Sequence, residues 1–374
     1  MSGVERTFRT LIRLLHPYKQ VTINKLTAMK SIILVGGEGT RLRPLTYSVV
    51  KSMVPVVNRP FIEHVISRLA LHNINEIVLA MGYKPDSIFE YFKSGAGDHI
   101  KLTYSLEEKP LGTAGAVKNA GLHVDETLFI LNGDVFSDID YTGMLDFHRR
   151  NEARVTIALT HVEDPTKFGV VETDKDGRVI RFTEKPEWKD VRSHWINAGV
   201  YILEPEVLDY IPDDTFYMFE KGVFPEMLNK GEPVYAYSSD TYWIDMGTPE
   251  KYHQLNNDML SGKCTSPTHK AEPIITGHGA NVHSTARITG PVLIGTGCKI
   301  EENVELTGPV ILGEGCHVKK GARLANSILW DNIVIGEEAL ITGCIIASGA
   351  NIENRIRIDG LTINHEAPAE NGGK

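Results

Sequence analysis

Gly36, Gly37 and Gly39 lie in the stretch Ile32-Ile33-Leu34-Val35-Gly36-Gly37-Glu38-Gly39-Thr40-Arg41-Leu42-Arg43-Pro44-Leu45-Thr46, where an apolar run enters a glycine-rich turn that exits on an arginine. Glycine tolerates φ > 0 and carries no Cβ, so backbone of this kind can come close to a ligand. Successive N–H groups in such a turn form a concave anion site. Arg41 adds a rigid cationic fork suited to phosphate. The turn lacks the G-x-G-x-x-G of dinucleotide binders and the Lys-Ser/Thr that ends a phosphate loop. Leu34 and Thr40 stand at its two ends. Further along, Asp134 closes the apolar run that begins at Leu128. A carboxylate just past the carboxyl end of such a strand stands at the ligand crevice of an open α/β sheet.

The elements that must position these groups alternate. Strands are expected at 31–35, 76–81, 101–105, 128–131 and 154–160. Helices are expected at 85–93, 113–120 and 141–151, and after Pro60, where Phe61, Val65 and Leu69 recur at spacing four with Ile62 and Ile66 beside them. This alternation predicts an α/β, Rossmann-like mixed sheet, mostly parallel, with helices on both faces. After residue 160 the pattern changes to a hairpin, 168–173 and 178–184 around Asp176-Gly177, and to strands at 199–203 and 234–237. That region reads as a lobe attached to the first sheet.

The last third is an internal repeat. Val282, Ile288, Ile294, Ile300, Leu306, Leu312, Val318 and Leu324 recur every six residues; the register then slips by one and resumes at Leu329, Ile335 and Ile341. Hexapeptide periodicity predicts a parallel β-helix, and it resembles the left-handed kind, with room for about four coils. Cys298 and Cys316 should stack inside it as small apolar residues. The expected organisation is a basic N-terminal extension (1–28), a catalytic domain (29–260), a linker (261–273), the β-helix (274–358) and a tail (359–374). Met29 is the expected start of the functional protein, because 1–28 reads as an extension outside the folded unit. A basic amphipathic targeting or membrane-surface helix is its second reading.

The chain has 374 residues, a formal charge of −9 and four cysteines without a CxxC. The acidic balance opposes a broad nucleic-acid footprint, the cysteines do not make a disulfide framework, and no apolar run reaches the ~18 residues of a membrane span. A cytoplasmic location is expected.

Residues 29–258 resemble the sugar-phosphate nucleotidyltransferases (nucleotide-sugar pyrophosphorylases). The motifs are the Gly36–Arg41 turn with its Leu-x-Pro-Leu-Thr continuation, Lys51 in Val50-Lys51-Ser52-Met53-Val54-Pro55, Glu107-Glu108-Lys109-Pro110-Leu111-Gly112-Thr113-Ala114-Gly115, Phe168-Gly169-Val170-Val171, Thr183-Glu184-Lys185-Pro186, Ile196-Asn197-Ala198-Gly199 and Trp243-Ile244-Asp245-Met246-Gly247. The resemblance implies attack by a sugar-1-phosphate on the α-phosphorus of an NTP, with pyrophosphate leaving. It implies Arg41, Lys51 and Lys185 as catalytic cations, Asp134 and Asp245 as Mg²⁺ ligands, Leu34, Gly36, Gly37, Gly39, Thr40, Glu107, Gly112 and Thr113 at the nucleotide, and Gly169, Glu184 and Asn197 at the sugar. Lys221, in Phe219-Glu220-Lys221-Gly222, is a weaker candidate because Gly222 stands where an acidic residue is expected. Ser52 replaces the family's proline after Lys51.

The resemblance places the base reader five residues before Gly112, at Glu107, with the adjacent Glu108 as the alternative. An ionised carboxylate only accepts hydrogen bonds and matches the two adjacent donors of guanine; uracil and thymine, with N3–H flanked by carbonyls, suit an amide instead. Glu107 therefore favours GTP, and the motif resembles mannose-1-phosphate guanylyltransferases most. The alternatives are a glucose-1-phosphate thymidylyl- or uridylyltransferase, and a catalytically silent regulatory subunit of the same fold. Glu38 should face away from the phosphates. The β-helix reads as a platform for homo-oligomer assembly or regulation, whose deletion should alter oligomeric state more than chemistry.

Overall fold

A computed structural model describes residues 29–82, 85–97, 99–121, 125–360 and 362–363. The expected extension 1–28 and the end of the tail, 364–374, lie outside the described residues. The catalytic region runs β1 (Lys30–Leu34), α1 (Phe61–Leu71), β2 (Glu76–Met81), α2 (Asp86–Phe92), β3 (Lys101–Leu106), α3 (Gly112–Ala120), β4 (Leu128–Asn132), β5 (Val135–Ser137), α4 (Tyr141–Arg150), β6 (Val155–His161), β7 (Gly169–Thr173), β8 (Val179–Glu184), β9 (Trp195–Leu203), α5 (Phe224–Asn229), β10 (Val234–Ser238), β11 (Trp243–Asp245) and α6 (Pro249–Leu260).

One sheet carries most of these strands, in the order β8-β7-β9-β4-β1-β2-β3, with β6 pairing both β9 and β10. β1 pairs in parallel with β2 and β4, and β2 with β3. β9 then runs antiparallel to β4 and β6. The region after residue 160 is thus a continuation of the first sheet, not an attached lobe, because β9 closes directly onto β4. Ile32 and Ile33 are both buried on β1. A strand covered on both faces reads as an unbroken apolar run rather than an alternation. In α1 the spacing-four residues Phe61, Val65 and Leu69 are buried, as are Ile62 and Ile66.

The repeat forms a parallel β-helix. One of its faces stacks Asn281, Lys299, His317, Val334 and Asn351, strand on strand. Those are five coils, where the aliphatic spacing indicated about four, because strands continue to Ile363, past the expected boundary at 358 and into the expected tail. The slip in register has a definite place: Thr307 pairs with Ala325, but Val310 pairs with Ser327. Gly308 and Pro309 of one coil thus face Asn326 alone in the next, and Asn326 takes a φ of 47° to turn the shortened corner. Cys298 and Cys316 are buried within the ladder, and each thiol donates to a backbone carbonyl, of Gly313 and Trp330 respectively.

The expected linker is packed rather than free. Cys264 is buried, the Thr265 N–H donates to Asp138 Oδ2 (2.9 Å), and His64 of α1 bonds to the hydroxyls of Ser266 and Thr268. One apolar core runs from the α1 and α6 side of the sheet into the β-helix interior. A second lies on the other face, under α3 and α5.

Candidate active site

A cleft of about 540 Å³ opens beyond the carboxyl ends of the central strands. Leu34, Gly36, Gly37 and Glu38 line it together with Lys51, Glu107, Glu108, Gly112, Thr113, Asn132, Asp134, Phe216 and Met218. Of the three turn glycines, Gly39 alone takes the left-handed conformation, with φ 65°. A Cβ there would come within 3.0 Å of both Lys51 Cβ and Thr46 Cγ2. The Thr46 hydroxyl donates to the Gly39 carbonyl (2.8 Å), which explains why a threonine ends the motif. Thr40 and Arg41 begin a single 3-10 turn after the glycines and stand at the rim, outside the cleft lining. Glu38 borders the mouth and reaches Arg43 at 3.8 Å, so it turns outward without leaving the cleft.

Four charges meet at one end. Lys51 Nζ lies 2.7 Å from Asp134 Oδ2 and 3.8 Å from Asp245 Oδ1. Arg41 Nη2 lies 3.8 Å from Asp245 Oδ2. The short ladder of β5 and β11 brings the two carboxylates together. Asp245 is paired with Val135, and the N–H of Met246 donates to the carbonyl of Asp134 (2.9 Å). Burial first, and the neighbouring Asp134 second, push the Asp245 carboxyl above its usual range, while Lys51 and Arg41 oppose the shift. Asp245 Oδ1 is buried without a hydrogen-bond partner. Among the described residues no third His, Cys, Asp or Glu joins this pair in a metal-sized cluster.

Glu107 stands at the other end, one residue beyond β3. Its N–H donates to the Met81 carbonyl (2.8 Å) and its Oε2 accepts from the N–H of Leu111 (3.0 Å). Its Oε1 faces Gly36, where an added Cβ would sit only 3.5 Å away. Glu107 is half-buried and Glu108 exposed, so the two neighbours are not equivalent. Gly112 has φ 72°, and a Cβ there would strike the Tyr217 carbonyl at 2.6 Å. Its role is to let the 213–218 segment cross the start of α3, which Ala114 and Gly115 clamp by donating to that same carbonyl. The Thr113 hydroxyl is engaged rather than free: it donates to Glu220 Oε2 (3.0 Å) and accepts from the N–H of Phe219 (3.1 Å).

The sugar-side candidates gather on β7, β8 and β9, next to the cleft but outside its lining. A Cβ on Gly169 would lie 3.0 Å from Glu184 Oε2. Lys185, at φ 46°, is exposed and stands 3.6 Å from Glu184 Oε1. Asn197 donates to the Tyr201 hydroxyl (2.8 Å) and accepts from the N–H of Gly199 (2.9 Å). Glu220 joins the two groups: it holds Thr113 and lies 3.5 Å from the Tyr201 hydroxyl. Burial raises its carboxyl above the usual range, and the charge of Glu184 adds to this. Sequence reasoning weighed Lys221 and passed over Glu220, yet Lys221 points to solvent. The departure at Gly222 has a packing cause. Tyr217 lies against it, and any Cβ would meet its ring at 2.5 Å. Asn132, whose buried Oδ1 has no partner, was also missed; its place one residue before the Gly133-Asp134 turn was the available signal.

With this geometry in view, the comparisons are specific. The Nucleotidyl transferase family profile matches residues 30–262, and that of the EIF2B subunit epsilon LbH domain, a left-handed β-helix, matches residues 272–366. The chain belongs to the nucleotidyl transferase family. This nucleotidyltransferase is 41% identical over 265 residues to a mannose-1-phosphate guanylyltransferase of Mycobacterium tuberculosis, covering 70% of this chain and 73% of that protein. It is 35% identical over 247 residues to a UTP–glucose-1-phosphate uridylyltransferase of Synechocystis, covering 62% and 64%. Among solved structures, HddC from Yersinia pseudotuberculosis complexed with GMP-PN aligns with a TM-score of 0.53 at 28% identity, covering 61% of this chain and 98% of that one. Among the described residues, no helix is long and apolar enough to cross a membrane.

Proposed function

We propose that this enzyme transfers a guanylyl group from GTP to mannose-1-phosphate, giving GDP-mannose and pyrophosphate. The observation that carries the base assignment is Glu107: a carboxylate at the cleft floor, with Oε2 held by backbone and Oε1 turned toward the glycine turn. An acceptor-only group there pairs with the N1–H and N2–H edge of guanine and opposes the carbonyls of uracil.

An oxygen of the sugar phosphate attacks the α-phosphorus; that P–O bond forms as the bond to the bridging oxygen of pyrophosphate breaks, and the electron pair leaves with pyrophosphate. Lys51 and Arg41 face the charge that builds on the phosphate oxygens, where positioned cations act most strongly. Lys185 and Glu184 take the sugar phosphate and its hydroxyls. Asp134 and Asp245 fit a Mg²⁺ ion: Asp245 Oδ1 is buried without a hydrogen-bond partner, and two carboxylates with substrate oxygens and water complete such a site. Bound there, the ion would neutralise phosphate charge and align the leaving group.

We read the enzyme as cytoplasmic and homo-oligomeric through its β-helix, with no nucleic-acid or membrane partner. Pyrophosphate release across four NTPs and mannose-, glucose- and galactose-1-phosphate tests the substrate assignment, with GTP plus mannose-1-phosphate expected to be fastest. A second reading, a uridylyltransferase, is favoured by the Synechocystis relative and would appear as UTP leading that matrix; dTTP leading it would mark a thymidylyltransferase. Sizing of the full chain tests the assembly, and fractionation tests the location.

A further inference from the structure

Between the β-helix and the catalytic sheet lies a buried polar chain inside an apolar interface. Trp330, on the β-helix, donates its indole N–H to the hydroxyl of Tyr252 on α6 (2.9 Å). That hydroxyl in turn donates to the carbonyl of Pro55 (2.6 Å). Tyr252 is fully buried and Trp330 nearly so. Pro55 lies four residues after Lys51, at the start of the short strand Pro55–Val56 that follows the 3-10 turn presenting the lysine. Tyr252 lies on the helix that follows Asp245 directly, its start capped by Thr248. The same helix and loop meet again at Asn256, whose Oδ1 accepts from the N–H of Val57 (2.9 Å). Asn58 then donates to the Leu312 carbonyl of the β-helix (2.7 Å).

We propose that Trp330 and Tyr252 are positioning residues for the reaction, and that the β-helix is a structural part of the active site through them. A lysine 2.7 Å from one carboxylate and 3.8 Å from another is held by their charges only while the backbone that carries it delivers it there, and a misplacement of about 1 Å can lower turnover by about 10²-fold. The Pro55 carbonyl anchors that backbone. The hydroxyl of Tyr252 joins three segments at one point: the Lys51 loop, the helix after Asp245 and the β-helix. This departs from the expectation that the β-helix is a detachable platform, because removing it would strip one wall of the shared core and leave Tyr252 without its donor. The inference rests on the reading of Lys51 as a cation of the reaction.

The relay makes an ordered prediction. Tyr252→Phe orphans both the Trp330 N–H and the Pro55 carbonyl, and buried unpaired groups are the expensive case. Trp330→Phe leaves the Tyr252–Pro55 bond in place. In the full chain, Tyr252→Phe should lower kcat about tenfold and Trp330→Phe about threefold, with KM for the sugar phosphate within about twofold. The double variant should be no worse than Tyr252→Phe, since contacts within one network do not add. Asn257→Ala, which removes an interface contact to Asn326 (3.1 Å) away from the Lys51 loop, should match Trp330→Phe in any loss of Tm but keep wild-type kcat. Wild-type kcat in both single variants, losses that multiply in the double variant, or an equal kcat loss in Asn257→Ala would overturn the proposal; should Tyr252→Phe not fold, Trp330→Phe against Asn257→Ala decides it. A fully active Lys51→Met would instead overturn the reading beneath it, which separates the two failures.

Discussion

At one end of the cleft Arg41 and Lys51, from one loop, meet Asp134 and Asp245 from distant parts of the chain, and the four are held by one another's charges. At the other end Glu107 sits one residue past β3 and is held by two backbone bonds, to Met81 and Leu111. A constellation of mutually balanced charges rearranges when one member is removed. A side chain fixed by local backbone can be exchanged with its frame intact. The first arrangement suits a place where charge changes during reaction, the second a place where a shape has to be read.

Arg41→Ala, Asp134→Asn and Asp245→Asn should each lower kcat by at least about a hundredfold, the scale on which removing one preorganised transition-state contact acts. Their melting temperatures should stay close to wild type; near-normal rates in all three would show that the charged end is structural. The next effect is in pH. The Asp245 carboxyl is raised, by burial and then by Asp134, so it accepts a proton at higher pH than an exposed carboxylate. Turnover should therefore fall on the acid side while ordinary carboxylates are still ionised. Asp134→Asn removes the like charge and should move the Asp245 titration to lower pH; a carboxyl ¹³C NMR titration that does not move would show that the two are not coupled.

Glu107→Gln should shift preference from GTP toward UTP or dTTP by about tenfold or more, the scale of one mispaired buried polar contact, with little change in stability. An unchanged preference would remove Glu107 from the base site. The smallest change concerns the strut behind that end: Thr113→Val leaves the Phe219 N–H and Glu220 each short of a partner, which should cost about 1–3 kcal/mol of stability by denaturant unfolding and leave nucleotide preference as it was.

Much of this was legible in the sequence, for reasons that differ by region. The five strands expected before residue 160 are short apolar runs closed by polar turns, and they fall within a residue or two of expectation, while the short β5 was not among them. The hexapeptide ladder is legible because a solenoid repeats one local solution. Arg41, Lys51, Asp134, Asp245 and Glu107 could be named because each is embedded in a motif with its own turn chemistry. Glu220 could not be picked out: its partners Thr113 and Tyr201 are joined to it only by the fold, and its neighbour Lys221 offered a more familiar charge. The continuity of the sheet through β9 and the packing of residues 261–273 onto His64 are likewise tertiary facts, set by which edges remained to be covered. Tyr252 and Trp330 looked like ordinary core aromatics, which they also are.

The single residue dropped opposite Gly308-Pro309 gives the solenoid an address. Successive coils of a regular repeat are interchangeable, and a partner has no means of telling one from the next. Asn326 breaks that equivalence: its carbonyl meets His253 (2.8 Å) and its amide oxygen meets Asn257, in the coil that also carries Trp330, while Asn58 reaches Leu312 in the coil before, so the catalytic domain is docked at this one place along the ladder. Among the described residues, the coils after Cys344 carry none of these contacts. Related chains should therefore vary in length at the far end of the β-helix and keep a fixed count of residues between Gly262 and Asn326.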